Sequence, residues 1–518
     1  MRHLTAAVGA AALTFAAFAS LAQPRGAPSR GPEMAGVAAY QAACAACHDG
    51  GDERAPELEQ LQRLDPERVR AALKPGGLMA SQASGLTAEQ HGQLVAFLGA
   101  PAERRVALAM AARNSRPDMP GFSYPLRRVR DPRDTASTAP RAQAWAAPKL
   151  GAGPFVSETW EQRNLRAVVV ARGLDSPRAI EFLPNGDVLV AERAGRLRIV
   201  RDGVLDPNPV KGMPAVAALG TATGFMDIKL HPDFAKNGLV YLAYHKPAYG
   251  SYGRNTIYRA RWTGAELVDG QELFVADDLD ALYTRLMFGP DGKLYATIGC
   301  PGVGTDESIG RAQKPDDYAG KVLRLNADGT VPRDNPFVGR KGYNPEIFTL
   351  GHRVNLGLAL NPRTGQFWVS EHGPNGGDEV NILKAGQNYG WPLVSEGRYY
   401  AGPRVSPVST RKGVASPHLA FVPSIAPGNL IFYTGDKFPA WKGNLFVGAM
   451  RLNEAPRTGH LLRIVLNEAG EQVRGEMLLY DLHQRIRDVE QSPDGLIWVT
   501  TDEGKDSVLM RLEPAEAR

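Results

Sequence analysis

Between residues 182 and 498 the chain repeats one short pattern six times: an apolar residue, a proline, a polar turn, a glycine, then an alternating strand. The first copy is Phe182-Leu183-Pro184-Asn185-Gly186-Asp187-Val188-Leu189-Val190. Leu230-His231-Pro232-Asp233 with Gly238-Leu239-Val240-Tyr241-Leu242 is the second, and Gly289-Pro290-Asp291-Gly292-Lys293-Leu294-Tyr295 the third. The others begin at Asn361-Pro362, Phe438-Pro439 and Ser492-Pro493, and run into Phe367-Trp368, Leu445-Phe446-Val447 and Leu496-Ile497-Trp498. Proline and glycine restrict the turn dihedrals, and the alternation after them suits a half-buried strand. Copies at long, irregular spacing imply repeats with insertions. Repeats of four short strands around an axis form a β-propeller, so an all-β, six-bladed propeller is expected over 156–518. A sandwich would not explain the same turn six times.

Upstream the pattern changes. Cys44-Ala45-Ala46-Cys47-His48 places two thiols three positions apart with a histidine directly after them. A redox dithiol does not need that histidine. A zinc site would need a second ligand pair, and the one other cysteine is Cys300. Covalent haem c uses all three residues: Cys44 and Cys47 bond the porphyrin and His48 ligates iron. Met79, in a loop before a final helix, is the candidate sixth ligand. That helix opens with a capping box, Thr87 to Gln90, and shows an apolar face of Leu94, Val95, Phe97 and Leu98. Helix, haem motif, methionine loop and closing helix over 35–100 resemble a small all-α class I cytochrome c.

The remaining segments are simpler. A positive start, an apolar alanine-rich run from Leu4 to Leu21 and small residues at Ser20-Leu21-Ala22 read as a signal peptide over 1–22. Export to the periplasm is therefore expected, and it agrees with haem attached outside the cytoplasm. Residues 101–155, rich in proline and arginine, read as an extended linker. A net charge of +5 over 518 residues is no nucleic-acid signature. No later run approaches ~18 apolar residues, so no membrane span is expected.

Several longer stretches carry a resemblance. Gly351-His352-Arg353, Ser370-Glu371-His372-Gly373-Pro374-Asn375-Gly376-Gly377-Asp378-Glu379, Asn388-Tyr389-Gly390-Trp391-Pro392, Pro423-Ser424-Ile425-Ala426-Pro427 and Arg485-Ile486-Arg487-Asp488 are similar, in order, to the soluble PQQ-dependent sugar dehydrogenases. The likeness covers about residues 160 to 515. It implies PQQ lying at the top of the propeller axis. Matched positions imply that Arg451, Arg485 and Arg487 bind its carboxylates, and that Arg353 stands at the reactive carbonyls. They also imply calcium on the backbone carbonyls of Gly373 and Pro374, and a second, structural calcium region at Asp378, Glu379 and Tyr389.

The chain also departs from that family. The catalytic histidine's place falls on Ala281, or on Leu282 in a neighbouring register; neither accepts a proton. An aspartate corresponds to Cys300, a pocket glutamine or glutamate to Ala222, and an asparagine to Val354. His372 and His352 are the replacement bases nearest in sequence, with His372 preferred; Cys300 is a further candidate. The expected protein oxidises a sugar, alcohol or aldehyde with PQQ and passes electrons through its haem to a soluble or membrane cytochrome. The alternative is a catalytically degenerate propeller that binds a ligand or partner.

Overall fold

The computed structural model describes Ala39, Tyr40, Ala43, Cys44, Leu61, 66–98 and 147–514, apart from 220, 249–251, 278–280, 302–308, 400–403 and 454. The chain divides into two units, Met1–Ala112 and Arg113–Arg518. The signal segment, Cys47, His48 and linker residues 101–146 lie outside the described residues.

In the first unit, α1 (Pro66–Leu73), α2 (Ala80–Ala83) and α3 (Ala88–Leu98) follow a helical stretch that includes Ala39, Tyr40 and Ala43. The capping box forms as expected: Gln90 N donates to Thr87 Oγ1 at 3.2 Å and Thr87 N to Gln90 Oε1 at 2.8 Å. Such a cap stabilises a helix start by about 1 kcal/mol. Leu94, Val95, Phe97 and Leu98 are buried, and Tyr40 packs on Phe97 with ring centroids 5.6 Å apart. Cys44 belongs to this core and Met79 packs against it.

The second unit is six sheets. Blade 6 holds both the first and the last strands described: β1 (Phe155–Ser157) and β2 (Leu165–Leu174) precede all other strands, yet join β23 (Ile486–Gln491), β24 (Ile497–Thr501) and β25 (Ser507–Glu513) in the order β1-β2-β25-β24-β23. Blade 1 holds β3 (Pro177–Phe182), β4 (Val188–Glu192), β5 (Leu197–Arg201) and β6 (Val204–Leu205). Blade 2 holds β7 (Phe225–Leu230), β8 (Leu239–Lys246), β9 (Arg254–Trp262) and β10 (Leu267–Val275). In blade 3 these are β11 (Leu286–Phe288), β12 (Leu294–Ile298), β13 (Lys321–Leu325) and β14 (Ile347–Leu350). In blade 4 they are β15 (Val354–Leu360), β16 (Phe367–His372), β17 (Asp378–Ile382) and β18 (Leu419–Phe421). Blade 5 is β19 (Pro427–Phe432), β20 (Leu445–Ala449), β21 (His460–Leu466) and β22 (Gln472–Leu478).

Every copy of the repeated pattern is the hairpin between a blade's first and second strands. The six glycines, Gly186, Gly238, Gly292, Gly365, Gly443 and Gly495, all have φ between 65 and 90°. At Gly186, Gly292, Gly365 and Gly443 an added Cβ would meet nothing within 4 Å, so left-handed backbone, not space, requires glycine there. First strands of neighbouring blades pack on one another around the axis. Second strands such as β4, β12, β20 and β24 are buried along their whole length between blades. This explains why they read as near-continuous apolar runs. The stretch 147–155, placed in the linker from sequence, already lies on the propeller: Leu150 O accepts from Arg172 Nη1 at 3.0 Å and Pro148 O from Gln484 Nε2 at 2.8 Å.

Candidate active site

The first strands start at one mouth of the axis and run to the hairpins at the other. Residues at their starts therefore meet: Arg178 (blade 1), Tyr283 (blade 3), Arg353 and Val354 (blade 4), Ala426 (blade 5), Arg485 and Arg487 (blade 6). Arg487 is buried and its guanidinium lies over the Tyr283 ring at 5.1 Å. Val354, Leu356, Ala426 and Met450 form an apolar patch, with Leu282 and Tyr283 packed against it.

The charge here is unbalanced. Asp502 takes Arg178 Nη1 at 2.8 Å, and stands 3.8 and 3.9 Å from the Arg485 and Arg487 guanidiniums. Burial would push the Asp502 carboxyl up, but these three arginines outweigh it and hold it at about 2. Arg487 Nη1 donates to the thioether of Met450 at 3.4 Å, a weak acceptor for a buried cation. Burial, then Arg178, lowers the Arg487 pKa to about 9. A buried, under-compensated guanidinium is costly unless an anion completes it.

Blade 4 builds the rest. Its register pairs Val354 with His372 and Asn355 with Glu371, so His372 projects on the same side as Val354. Arg353 N donates to Glu371 Oε2 at 2.7 Å; Arg353 Nη1 donates to His372 O at 2.7 Å and Gly373 O at 2.8 Å. Its guanidinium lies over Trp391 at 5.2 Å. His372 Nε2 bonds the Pro427 carbonyl at 2.8 Å. A carbonyl only accepts, so Nε2 carries the proton and Nδ1 keeps a lone pair. Burial, then Arg487, Arg353 and Arg451, lower the His372 pKa to about 3, which keeps the ring neutral.

Asp378 is a fastener. Its Oδ1 accepts Gly373 N at 2.8 Å, and its Oδ2 accepts Ser424 Oγ at 2.6 Å and the amides of Ile425 and Ala426 at 2.8 Å each. Tyr389 points elsewhere, donating to Ile382 O at 2.6 Å while its ring stacks on His352. Glu379 accepts Asn381 Nδ2 at 2.9 Å, and burial, then Glu371, raise its pKa to about 8. Asp378, Glu379 and Tyr389 thus do not converge on one point. Among the described residues no group of three or more His, Cys, Asp or Glu could hold a metal. Gly373 O is engaged by a cationic side chain, so the turn does not fit calcium as the sequence implied.

The positions that lack the family's base are closed. Ala281 is fully buried, and its carbonyl bonds His245 Nε2 at 3.0 Å. Cys300 is fully buried, and burial pushes its thiol to about 11. His352 is buried between Glu371 and Thr349, at 3.0 and 2.9 Å, which leaves it no role facing the mouth. Of the three candidate bases, His372 stands among the arginines. Ala222 accepts Tyr283 N at 3.2 Å through its backbone.

Sequence reading missed Arg178, Tyr283, Met450 and Asp502. Their signal is positional: Arg178 opens its blade's first strand as Arg353 and Arg487 open theirs, and Asp502 directly follows β24. Asn355 was missed too. It is fully buried, its amide has no hydrogen-bond partner among the described residues, and it lines a cavity of about 10 Å³ with Arg178, Arg285 and Arg487. That is room for about one water.

Residues 174–511 match the family described as glucose/sorbosone dehydrogenase. The chain belongs to that family. Residues 31–98 match the family described as cytochrome c oxidase, cbb3-type, subunit III. This glucose/sorbosone dehydrogenase family member is therefore a dehydrogenase propeller preceded by a cytochrome c domain. It is 35% identical over 346 residues to the aldose sugar dehydrogenase YliI of Escherichia coli, covering 65% of this chain and 90% of that protein. A crystal structure of a glucose dehydrogenase, 35% identical, superposes with a TM-score of 0.62 over 67% of this chain and 98% of the other. The PQQ-bound aldose sugar dehydrogenase of Streptomyces coelicolor, 26% identical, gives 0.54 over 67% and 98%.

For PQQ the residues fit. Arg353, Arg451, Arg485 and Arg487 surround an apolar patch, and the carboxylate of Asp502 is already paired with Arg178. A flat, apolar-faced polyanion answers both features.

Proposed function

We propose that this protein is a periplasmic quinohaemoprotein dehydrogenase that oxidises a sugar, alcohol or aldehyde. The observation that carries the reading is Arg487: a buried guanidinium whose nearest carboxylate, Asp502, is 3.9 Å away and shared with two other arginines. PQQ, when bound, supplies the quinone that takes a hydride equivalent from the substrate's C–H bond. Arg485, Arg487 and Arg451 would bind its carboxylates through charge-assisted hydrogen bonds. Arg353 holds a fixed positive charge where negative charge develops. His372 accepts the substrate proton at Nδ1. At a pKa of about 3 it is a feeble base, held there first by burial and then by the Arg487, Arg353 and Arg451 guanidiniums. An anion that neutralises them raises it towards the range a general base needs. Met226, Tyr283 and Leu356 line the cavity of about 10 Å³ beside Arg487.

In the cytochrome domain, Cys44 and Cys47 would attach haem covalently, and His48 and Met79 would hold its iron. The haem would supply a one-electron acceptor on the same chain, so the step from the propeller would not wait for a second molecule. A soluble or membrane cytochrome would take the electrons onward. No helix among the described residues is long and apolar enough to cross a membrane.

The test is reconstitution of the exported chain with PQQ, followed by a panel of sugars, alcohols and aldehydes while the haem absorbance is recorded. Substrate-dependent haem reduction supports the reading. No PQQ binding together with no haem reduction overturns it. Ala281 and the closed Cys300 favour a second reading, a propeller that binds ligand without turnover; there PQQ or another anion binds but no substrate reduces the haem.

A further inference from the structure

We infer that the Arg353 guanidinium, seated on the carbonyls of His372 and Gly373, supplies the positive charge that the family pattern assigns to calcium, so that this chain captures PQQ without a metal ion. The inference rests on the proposal that PQQ occupies the arginine pocket.

Four observations carry it. First, one nitrogen of Arg353 donates to both carbonyls, at 2.7 and 2.8 Å, which uses both of its protons. Gly373 O is one of the two oxygens that calcium would need. Second, the arginine is fixed. Its amide donates to Glu371 Oε2 at 2.7 Å, its carbonyl accepts Cys300 N at 2.5 Å, its side chain packs on Trp391, and it is 5% exposed. Third, the turn is tight and anchored. A Cβ on Gly373 would sit 2.3 Å from Gly376 O, and Gly373 N is held by Asp378. Asp378, the neighbouring acid, accepts four hydrogen bonds and is closed to a cation. Fourth, the field is wrong for a dication. Calcium takes six to eight oxygens, usually with carboxylates among them. The acids at the turn, Asp378 and Glu371, are already taken up by hydrogen bonds, and the charges that bear most on His372, one residue from the turn, are those of Arg487, Arg353 and Arg451.

A guanidinium differs from calcium in ways that matter here. It is planar, and it directs its donors along fixed lines. It also cannot be chelated away. Capture of the cofactor then depends on arginines that the fold holds in place, and calcium in the medium becomes irrelevant at this centre.

The experiment is a PQQ absorbance titration of the full chain, run in EDTA and in calcium chloride. The expected dissociation constants agree within about threefold, since no ligand of the cofactor is lost. Binding in calcium that weakens more than about a hundredfold in EDTA overturns the inference. Arg353→Ala tests it from the other side. With the guanidinium gone and Gly373 O released, binding in EDTA should weaken at least about tenfold, the size of a charge-assisted bond, and calcium should restore part of it. A variant that binds as well as wild type in EDTA argues against the role given to Arg353. Absence of binding to wild type in both media would instead remove the PQQ reading, and this inference with it.

Discussion

Arg285 Nη2 donates to Asp488 Oδ1 at 2.7 Å and joins the third blade to the sixth across the axis. The same guanidinium reaches Asp227 Oδ1 in β7 at 3.3 Å, Leu356 O in β15 at 2.8 Å and Arg178 O in β3 at 3.0 Å. One buried side chain thus ties five of the six first strands. Arg285→Met strands two buried carboxylates, and should cost roughly 3–5 kcal/mol in urea unfolding at neutral pH. A loss under about 1 kcal/mol would mean that the blades hold without this tie.

His372→Asn should lower kcat about 10²- to 10⁴-fold while PQQ affinity stays within a few-fold, because the base acts on substrate and not on cofactor binding. The pH profile gives a sharper readout. The base must be neutral, so wild-type kcat falls on the acid side through the His372 pKa. With the guanidiniums neutralised by PQQ, that pKa should lie above its value of about 3 in the free chain. The acid limb should vanish in the variant. An unchanged profile would assign the proton to another group.

Arg487→Met separates function from stability. The methionine removes a buried, under-compensated cation, so the PQQ-free protein should gain about 1–2 kcal/mol, as when a buried charge is replaced by an apolar side chain. PQQ binding should weaken at least about tenfold. Thermal melting and PQQ titration on the same preparation check both signs. Loss of stability would show that Asp502 compensates Arg487 adequately.

Glu379 sets a pH dependence of folding. Its folded pKa of about 8 exceeds the ordinary 4.5, so between these values the folded state holds a proton that the unfolded state has released. Stability therefore declines as pH rises from about 4.5 to 8. Glu379→Gln should flatten that decline in denaturation midpoints taken across the window. A slope identical to wild type would place its origin elsewhere.

Cys300→Ala should leave kcat unchanged, because a thiol at about 11 is protonated at neutral pH and fully buried. The cost is a small cavity worth about 1 kcal/mol. A fall in kcat much beyond tenfold would bring the thiol back as a participant.

The propeller was legible because its signal is local. Six proline–glycine hairpins need nothing beyond neighbouring residues, and the structure puts all six between first and second strands. The capping box at Thr87 was legible for the same reason. The pocket was legible where a residue stands at a strand start, as Arg353 and Arg487 do. Arg178 and Asp502 escaped because their pairing spans 324 positions and exists after the ring has closed. Asp378 departs from its sequence reading for a related reason. An acid in a loop looks like a metal ligand until the donors from Ser424, Ile425 and Ala426 are seen to fill it.

The ring closes where β2 pairs with β25, so strands from the two ends of the propeller complete one blade. Arg178 lies on one side of this seam; Asp502 and Arg487 lie on the other. An anion bridging those arginines would act as a clasp on the joint, resisting any opening that parts the first blade from the sixth. Loading the pocket and locking the ring would then be one event, and an empty protein would be the form that proteases open first at the seam.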